Sequence, residues 1–335
     1  MIKPAYNIIS TGLQKCYNSL GEEIHCENSG QDAEYSIGAI AKGNRFDVKN
    51  NLVHDLLTGL SWLKQADVFT YPLEWEETLD AVARLNKDEF MGYSDWRLPN
   101  RKELRSLVSH GAKKPALPRD HPFQNVFLGW YWTSTTSAVA PAYAWRVHFE
   151  GGRMFYGNKK DPSMCWPVRG ESYILAQTGQ KNCFSATGDK ISCESSLQDG
   201  ALQLGTNWPE PRFTVTPYGV LDELTHLIWS KDADLAGLLD WQEALKSIKA
   251  LNKNSRLTWR LPNINELESL VDASQAKPAL PVGHPFGETN EAYWSSTTSF
   301  FEPDWAYALY LHKGAVGVGF KQKAEFYYWP VAGPL

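Results

Sequence analysis

The sequence predicts an α+β protein of two tandem domains, each with two helices packed on a small, irregular antiparallel sheet. Three observations carry this expectation. An internal duplication spans nearly the whole chain, each copy holds two helix signatures, and alternating apolar and polar segments follow them, separated by glycine-containing turns.

The duplication is read from landmarks that keep their order. Thr11-Gly12, Cys16, Cys26 and Gln31-Asp32 return as Thr178-Gly179, Cys183, Cys193 and Gln198-Asp199, each 167 positions later. Leu57 to Trp62 matches Leu224 to Trp229, and Trp96-Arg97-Leu98-Pro99-Asn100 matches Trp259-Arg260-Leu261-Pro262-Asn263. Lys114 to Pro118 with His121-Pro122-Phe123 corresponds to Lys277 to Pro281 with His284-Pro285-Phe286. Tyr131 to Ser137, Tyr-Trp-Thr-Ser-Thr-Thr-Ser, is answered by Tyr293 to Ser299, and Trp166-Pro167-Val168 by Trp329-Pro330-Val331. The domains expected are 11–169 and 178–333. The linker 170–177 contains Tyr173, Ile174 and Leu175, which suit packing better than free swinging.

The elements follow in chain order. Each copy begins with two cysteines around a glycine, Gly21 or Gly188, which suggests a hairpin closed by a disulfide and hence an oxidising compartment. Reduced structural thiols, or less readily a metal site, are the alternatives. Trp75, Leu79, Val82 and Leu85 share one helical face, as do Trp241, Leu245, Ile248 and Leu251. Asn100 with Glu103, and Asn263 with Glu266, form capped starts of a second helix, which turns Leu104, Leu107 and Val108, or Leu267, Leu270 and Val271, to the core. Proline-rich turns, the Tyr-Trp phrase and strands at Ala144–Phe149 and Ala306–Leu311 complete each copy. Trp132 and Trp294 are expected to be buried at a strand edge, with the neighbouring hydroxyls satisfying backbone groups. Cys165 faces Tyr328 across the repeat and reads as a buried free thiol.

Composition narrows function. A net charge of −5 and a pI near 5.9 argue against a broad nucleic-acid or heparin surface. No apolar stretch approaches the roughly 20 residues of a membrane span, and Met1 to Thr11 lacks the apolar core of a signal peptide, so either an export signal has been trimmed or the protein is cytosolic. The 14 Trp and 15 Tyr exceed what a core needs from these types and suit interfaces or sugar-stacking surfaces as well as loop-rich cores.

Candidate chemistry is sparse. Ser134, Thr135 and Thr136, with Ser296, Thr297 and Thr298, lie in step with His121 and His284, but a nucleophile needs an oriented base, and an imidazole in a His-Pro-Phe turn is equally explained by capping. Asp232 and Asp234 are the nearest approach to a calcium ligand set, answered by Asp67 alone in the first copy. Arg97 and Arg260 read as interior arginines tying loops together. The copies diverge after the Tyr-Trp phrase, where loops and edges can carry recognition. The candidate contact residues are Trp130, Tyr143, Trp145, Arg146, His148, Arg153, Tyr156, Asn158 and Lys159 in the first copy, and Trp305, Tyr307, Tyr310, His312 and Lys321 in the second.

The series Thr-Gly-x-x-x-Cys, Gln-Asp, Trp-Arg-Leu-Pro-Asn-x-x-Glu-Leu, Pro-Ala-Leu-Pro, His-Pro-Phe, Tyr-Trp-Ser-Ser-Thr-Thr and Trp-Pro-Val resembles the Lcl C-terminal domain family, named after part of a bacterial collagen-like adhesin. The resemblance implies a C-type-lectin-like fold in an exported, often surface-bound bacterial protein. The family's best-known member binds sulfated polysaccharide through a basic surface, whereas this chain is acidic. The Arg-Leu-Pro segment also resembles the sulfatase-activating enzymes. The expectation is a non-enzymatic binding or adhesion protein, secreted, periplasmic or on the cell surface, recognising a glycan or protein without a cofactor other than a possible calcium, and able to form a homo-oligomer. A structural accessory subunit of a larger assembly and an oxidase-like relative of the sulfatase activators are the alternatives.

Overall fold

A computed structural model describes residues 7–333; residues 1–6 of the Met1 to Thr11 stretch lie outside it. The chain is α+β, with small antiparallel sheets and few helices, and it packs as two compact units.

The units are not the contiguous halves 11–169 and 178–333 that the repeat suggests. One unit holds residues 40–108 and 113–207; the other holds the described residues through Ala39, residues 109–112, and those from Trp208 onward. Each unit therefore joins the core of one copy to the cysteine hairpin of the other. The first copy's core, 40–169, takes up the hairpin that follows it. The second copy's core takes up the hairpin at the start of the chain.

Within the first-copy core, Phe46–Lys49, Leu52–Asp55, Ser61–Leu63 and Val168–Arg169 form a four-stranded antiparallel sheet in that order. Trp130–Thr136, Tyr143–His148 and Arg153–Asn158 form an antiparallel meander, interrupted between Trp132 and Thr136 by a register shift. The helix Trp75–Lys87 buries Trp75, Thr78, Ala81 and Val82, and its first turn is closed by Glu74 and Glu77 as a reciprocal capping box. The second-copy core repeats this plan: strands Phe213–Thr216, Gly219–Asp222, Leu227–Trp229 and Val331–Ala332, a meander of Tyr293–Thr298, Trp305–Tyr310 and Ala315–Phe320, and a helix Trp241–Asn252. The small sheet that precedes the long helix in each copy has no counterpart in the sequence reading, because its strands are only three or four residues long.

The second helices are short, Arg101–Arg105 and Ile264–Ser269, and both have the expected Asn caps. Asn100 accepts from the amides of Lys102 and Glu103, and Glu103 accepts from the amide of Asn100. The same Glu103 carboxylate receives Arg97 through two bonds of 2.6 and 2.8 Å, and Arg97 also donates to Gly170 O. Arg260, Glu266 and Gly333 repeat the arrangement. The Trp-Arg-Leu-Pro-Asn-x-x-Glu motif thus encodes a buried, bidentate ion pair whose carboxylate is held by a helix start, which satisfies both charges. The linker packs as expected: Ile174 is buried and Tyr173 lies against Gly59.

Candidate functional site

The repeated Tyr-Trp phrase is framework. Trp132 and Trp294 are fully buried and donate their indole N–H to Leu73 O and Leu239 O. Thr133 Oγ1 and Ser295 Oγ donate across the meander to Trp145 O and Tyr307 O. Thr135 Oγ1 accepts the amide of Arg101 and donates to Asp199 Oδ2 at 2.6 Å; Thr297 Oγ1 accepts the amide of Ile264 and donates to Asp32 Oδ2 at 2.8 Å. Thr178 makes a second bond to Asp199. These four hydroxyls bond backbone amides, carbonyls and a buried carboxylate, while Thr136 Oγ1 and Ser137 Oγ of the same phrase are buried without a hydrogen-bond partner. Burial raises Asp32 and Asp199 to about 6, against the lowering effect of their threonine donors.

The open chemistry lies on one face of the first-copy meander. Register places Trp130, His148 and Arg153 in one row across the three strands and Trp132, Arg146 and Phe155 in the next. The Arg146 guanidinium carbon stands 4.9 Å from the Trp130 ring centre and 5.6 Å from that of Trp132, and its Nη1 donates to Ser163 Oγ at 3.3 Å. Gly157 makes room for it: a Cβ there would fall 2.2 Å from Arg146 Cζ. Trp130 is half-buried and meets His148 edge-on at 4.7 Å, and Arg153 is exposed at the end of the row. Burial lowers the His148 pKa, and Arg153 and Arg146 push it the same way. Nε of Arg146 and Nδ1 of His148 are buried within this face without a hydrogen-bond partner, which leaves contact with a ligand to the outer edges of the two groups. The face presents cations and indole edges together, a combination that can take an anionic group beside a ring.

The family comparison agrees with the two cores seen in the structure. The model of the Lcl C-terminal domain family matches residues 51–169 and 218–332. The chain belongs to the Lcl C-terminal domain family. No curated protein matches it.

The two Lcl domains differ at the face just described. Where the first has Arg146, Ser163 and Gly157, the second has Ala308, Phe326 and Gly319. Phe326 packs on Trp294 at 4.6 Å and on Tyr310 at 5.4 Å, filling the volume over Gly319 that the guanidinium fills over Gly157. The second Lcl domain is apolar and sealed at this point; the first is polar.

Four of the candidate contact residues have no surface to offer. Trp145 is buried under the Arg101 guanidinium at 4.1 Å, and Tyr307 is buried edge-on against His110 at 4.4 Å. Lys159 and Lys321, both fully buried, are equivalent residues of the two Lcl domains and not points of divergence. Lys159 Nζ donates to Phe184 O and Ser185 O over the Trp75 ring, and Lys321 Nζ to Tyr17 O, Asn18 O and Thr298 Oγ1 over the Trp241 ring. Each lysine carries its charge to the carbonyl end of a hairpin, where side-chain length and apolar surroundings suit packing. Burial pushes both down to about 7. Tyr143 and Tyr156 meet edge-on at 5.8 Å on the opposite face of the meander, to which Asn158 also belongs. Trp305 leans on Phe320, Tyr310 donates to Val318 O, and His312 is half-buried with its backbone bonded to Glu291 and Lys277.

The remaining candidates are plainly placed. Cys16–Cys26 and Cys183–Cys193 are disulfides with Cα separations of 5.2 and 5.3 Å. Cys165 is a buried free thiol whose pKa burial raises. His121 and His284 lie against Phe123 and Phe286 at 6.0 and 5.8 Å, and burial lowers both pKa values. Asp232 and Asp234 are exposed and accept the amides of Asp234 and Gly237 in their own turn. Sequence reasoning missed Ser163 and Gly157, small residues whose meaning emerges only when the volume of Arg146 is set against that of Phe326.

Proposed function

We propose that this chain is a non-enzymatic, exported binding protein of C-type-lectin-like fold whose first Lcl domain recognises a glycan or protein partner carrying an anionic group. One observation carries this reading. The Arg146 guanidinium lies against Trp130 from the neighbouring row, and His148 and Arg153 complete the row of Trp130. Indole beside guanidinium suits a sugar ring bearing a carboxylate or an ester anion, or an acidic side chain next to an apolar one. The two disulfides support an oxidising compartment, and no helix among the described residues is long and apolar enough to cross a membrane. The burial of the repeated hydroxyls, with Thr133, Thr135, Ser295 and Thr297 held in framework bonds, supports binding over catalysis. The test is a glycan and acidic-peptide array probed with the full chain and with Arg146→Ala and Trp130→Ala, using His312→Ala as a control. A ligand lost by the first two variants and kept by the third is expected. Binding that survives Arg146→Ala unchanged, or no ligand in either class, would overturn the assignment.

A further inference from the structure

The cysteine hairpins are bound by the same lock in both units, yet they reach it by different covalent routes. In the unit of the first core, the hairpin around Cys183–Cys193 follows Arg169 and the packed linker directly. In the other unit, the hairpin around Cys16–Cys26 belongs to the start of the chain, and the whole of residues 40–207 separates it in sequence from the core that holds it. The family match leaves both hairpins out, starting at residue 51 in one copy and 218 in the other. The Cys16–Cys26 hairpin is thus a separate piece that its core holds without a local tether, through side chains equivalent to those that hold the tethered hairpin of the first core.

The recognition elements recur residue by residue. The buried lysine, Lys321 or Lys159, donates to two carbonyls of the hairpin's first strand and turn. The strand threonine, Thr297 or Thr135, donates to the buried aspartate that ends the hairpin segment, Asp32 or Asp199. The helix-cap asparagine, Asn263 or Asn100, donates to the chain just beyond, at Ile37 O or Leu204 O. A bare glycine at the hairpin tip, Gly21 or Gly188, comes so close to the core that a Cβ would lie 3.0 Å from Asp304 N or 2.8 Å from Ala142 N. Inside each hairpin a buried glutamine, Gln31 or Gln198, pairs with both backbone groups of Tyr17 or Phe184, so the ligand is preformed before it docks.

We infer that the second Lcl core is a receptor for the disulfide hairpin and accepts this hairpin from a second copy of the chain as well as from its own. Such exchange makes no new contact; it replaces an intramolecular hairpin by an identical intermolecular one, so its balance is set by chain concentration and by the exposed segment Lys42–Asn44 that joins the hairpin to the first core. Chains linked in this way self-associate while each keeps its Lcl domains complete.

The test uses the full chain with a protease site introduced at Lys42–Asn44. After cleavage both cysteines of the hairpin lie on the small fragment, so only non-covalent contacts retain it. The fragment is expected to co-elute with the rest of the chain. After a cycle of denaturation and dilution with a tenfold excess of labelled, oxidised peptide 7–39, the label is expected in most of the protein, and a peptide carrying Asp32→Ala is expected to incorporate at least tenfold less. Two intact chains with different tags, diluted together from denaturant at high concentration, are expected to co-purify as mixed assemblies. Loss of the fragment on cleavage, or equal incorporation of the Asp32→Ala peptide, overturns the receptor. Recovery of single-tag chains at every concentration overturns exchange between copies. Ligand binding at Arg146 is unaffected by any of these results.

Discussion

Arg146 and Ser163 are joined by a 3.3 Å hydrogen bond, and the residues at their positions in the second Lcl domain, Ala308 and Phe326, are apolar. The exchange is close to a volume swap: a long cation with a small acceptor in one copy, a small methyl with a large ring in the other. The double variant Arg146→Ala with Ser163→Phe is therefore expected to reproduce the sealed face over Gly157. It should fold with a Tm within a few degrees of the parent, since volume-conserving exchange costs less than about 1.5 kcal/mol, and it should bind any anionic ligand of the first Lcl domain at least tenfold more weakly. A calorimetric melt together with a binding titration checks both halves.

His148 gives the same face a pH response. Burial, Arg153 and Arg146 all hold its pKa below the ordinary imidazole value, with Glu150 opposing them. An anionic ligand favours the protonated ring, so affinity is expected to rise as pH falls from neutrality into the acid range, and His148→Gln should flatten that rise without abolishing binding. Titrations at three pH values are sufficient; an affinity independent of pH in the parent would show that the ligand does not reach His148.

Much of this architecture is legible in the sequence because it is written in local chemistry. Asn100 with Glu103 is a helix start wherever it occurs, and the apolar spacing from Trp75 to Leu85 has a single helical reading. The buried Trp132 and Trp294 and both disulfides follow from the repeat. What escapes is non-local. Nothing near Cys16 says that its hairpin will lie on the second core, because Lys321, Thr297 and Asn263, which hold it, are hundreds of positions away. Lys159 and Lys321 read as surface cations for the same reason: a lysine is assigned to water until the carbonyls that receive it are known.

Asp32 and Asp199 set the acid limb of stability. Both sit among threonine hydroxyls and buried charges, Asp32 near the Arg260–Glu266 pair, Asp199 near Arg101 and the Glu103 that Arg97 holds, and both are raised from 3.8 to about 6 by burial. A folded pKa above the unfolded one means that the native state keeps a proton the unfolded state has lost. Stability from this source is complete below about pH 4 and is lost as pH rises through about 6, by up to about 3 kcal/mol for each carboxylate. Asp199→Asn is expected to keep the hydrogen bond from Thr135 and to remove its share of the slope. Urea unfolding at pH 4.5, 5.5 and 6.5 measures it; a parent slope unchanged in Asp199→Asn and in the matching Asp32→Asn would mean that other groups carry the titration.

Lys321→Met probes the opposite limb. The ammonium is pushed down from 10.5 to about 7 by burial, so the native state holds fewer protons than the unfolded chain from about pH 7 to pH 10, and stability from this source is present at high pH and lost as pH falls through about 7. Removing the amine relieves that burial but takes a donor from Tyr17 O, Asn18 O and Thr298 Oγ1, of which Tyr17 O keeps its bond from Gln31 Nε2 and Asn18 O its bond from the Gly21 amide. The hydrogen bonds of a charged donor contribute about 1.5 to 3 kcal/mol, while the thioether keeps most of the contact with the Trp241 ring. The lost charge-assisted bonds outweigh the relieved burial near neutral pH, where the expected loss is about 1 to 3 kcal/mol. Because two of the amine's three bonds go to backbone carbonyls of the hairpin and the third only to a strand side chain, the loss should appear first as hydrogen exchange at Tyr17 to Glu23, with the strands Tyr293–Thr298 and Trp305–Tyr310 still protected. Uniform loss of protection across hairpin and sheets would instead make Lys321 part of the core's own folding.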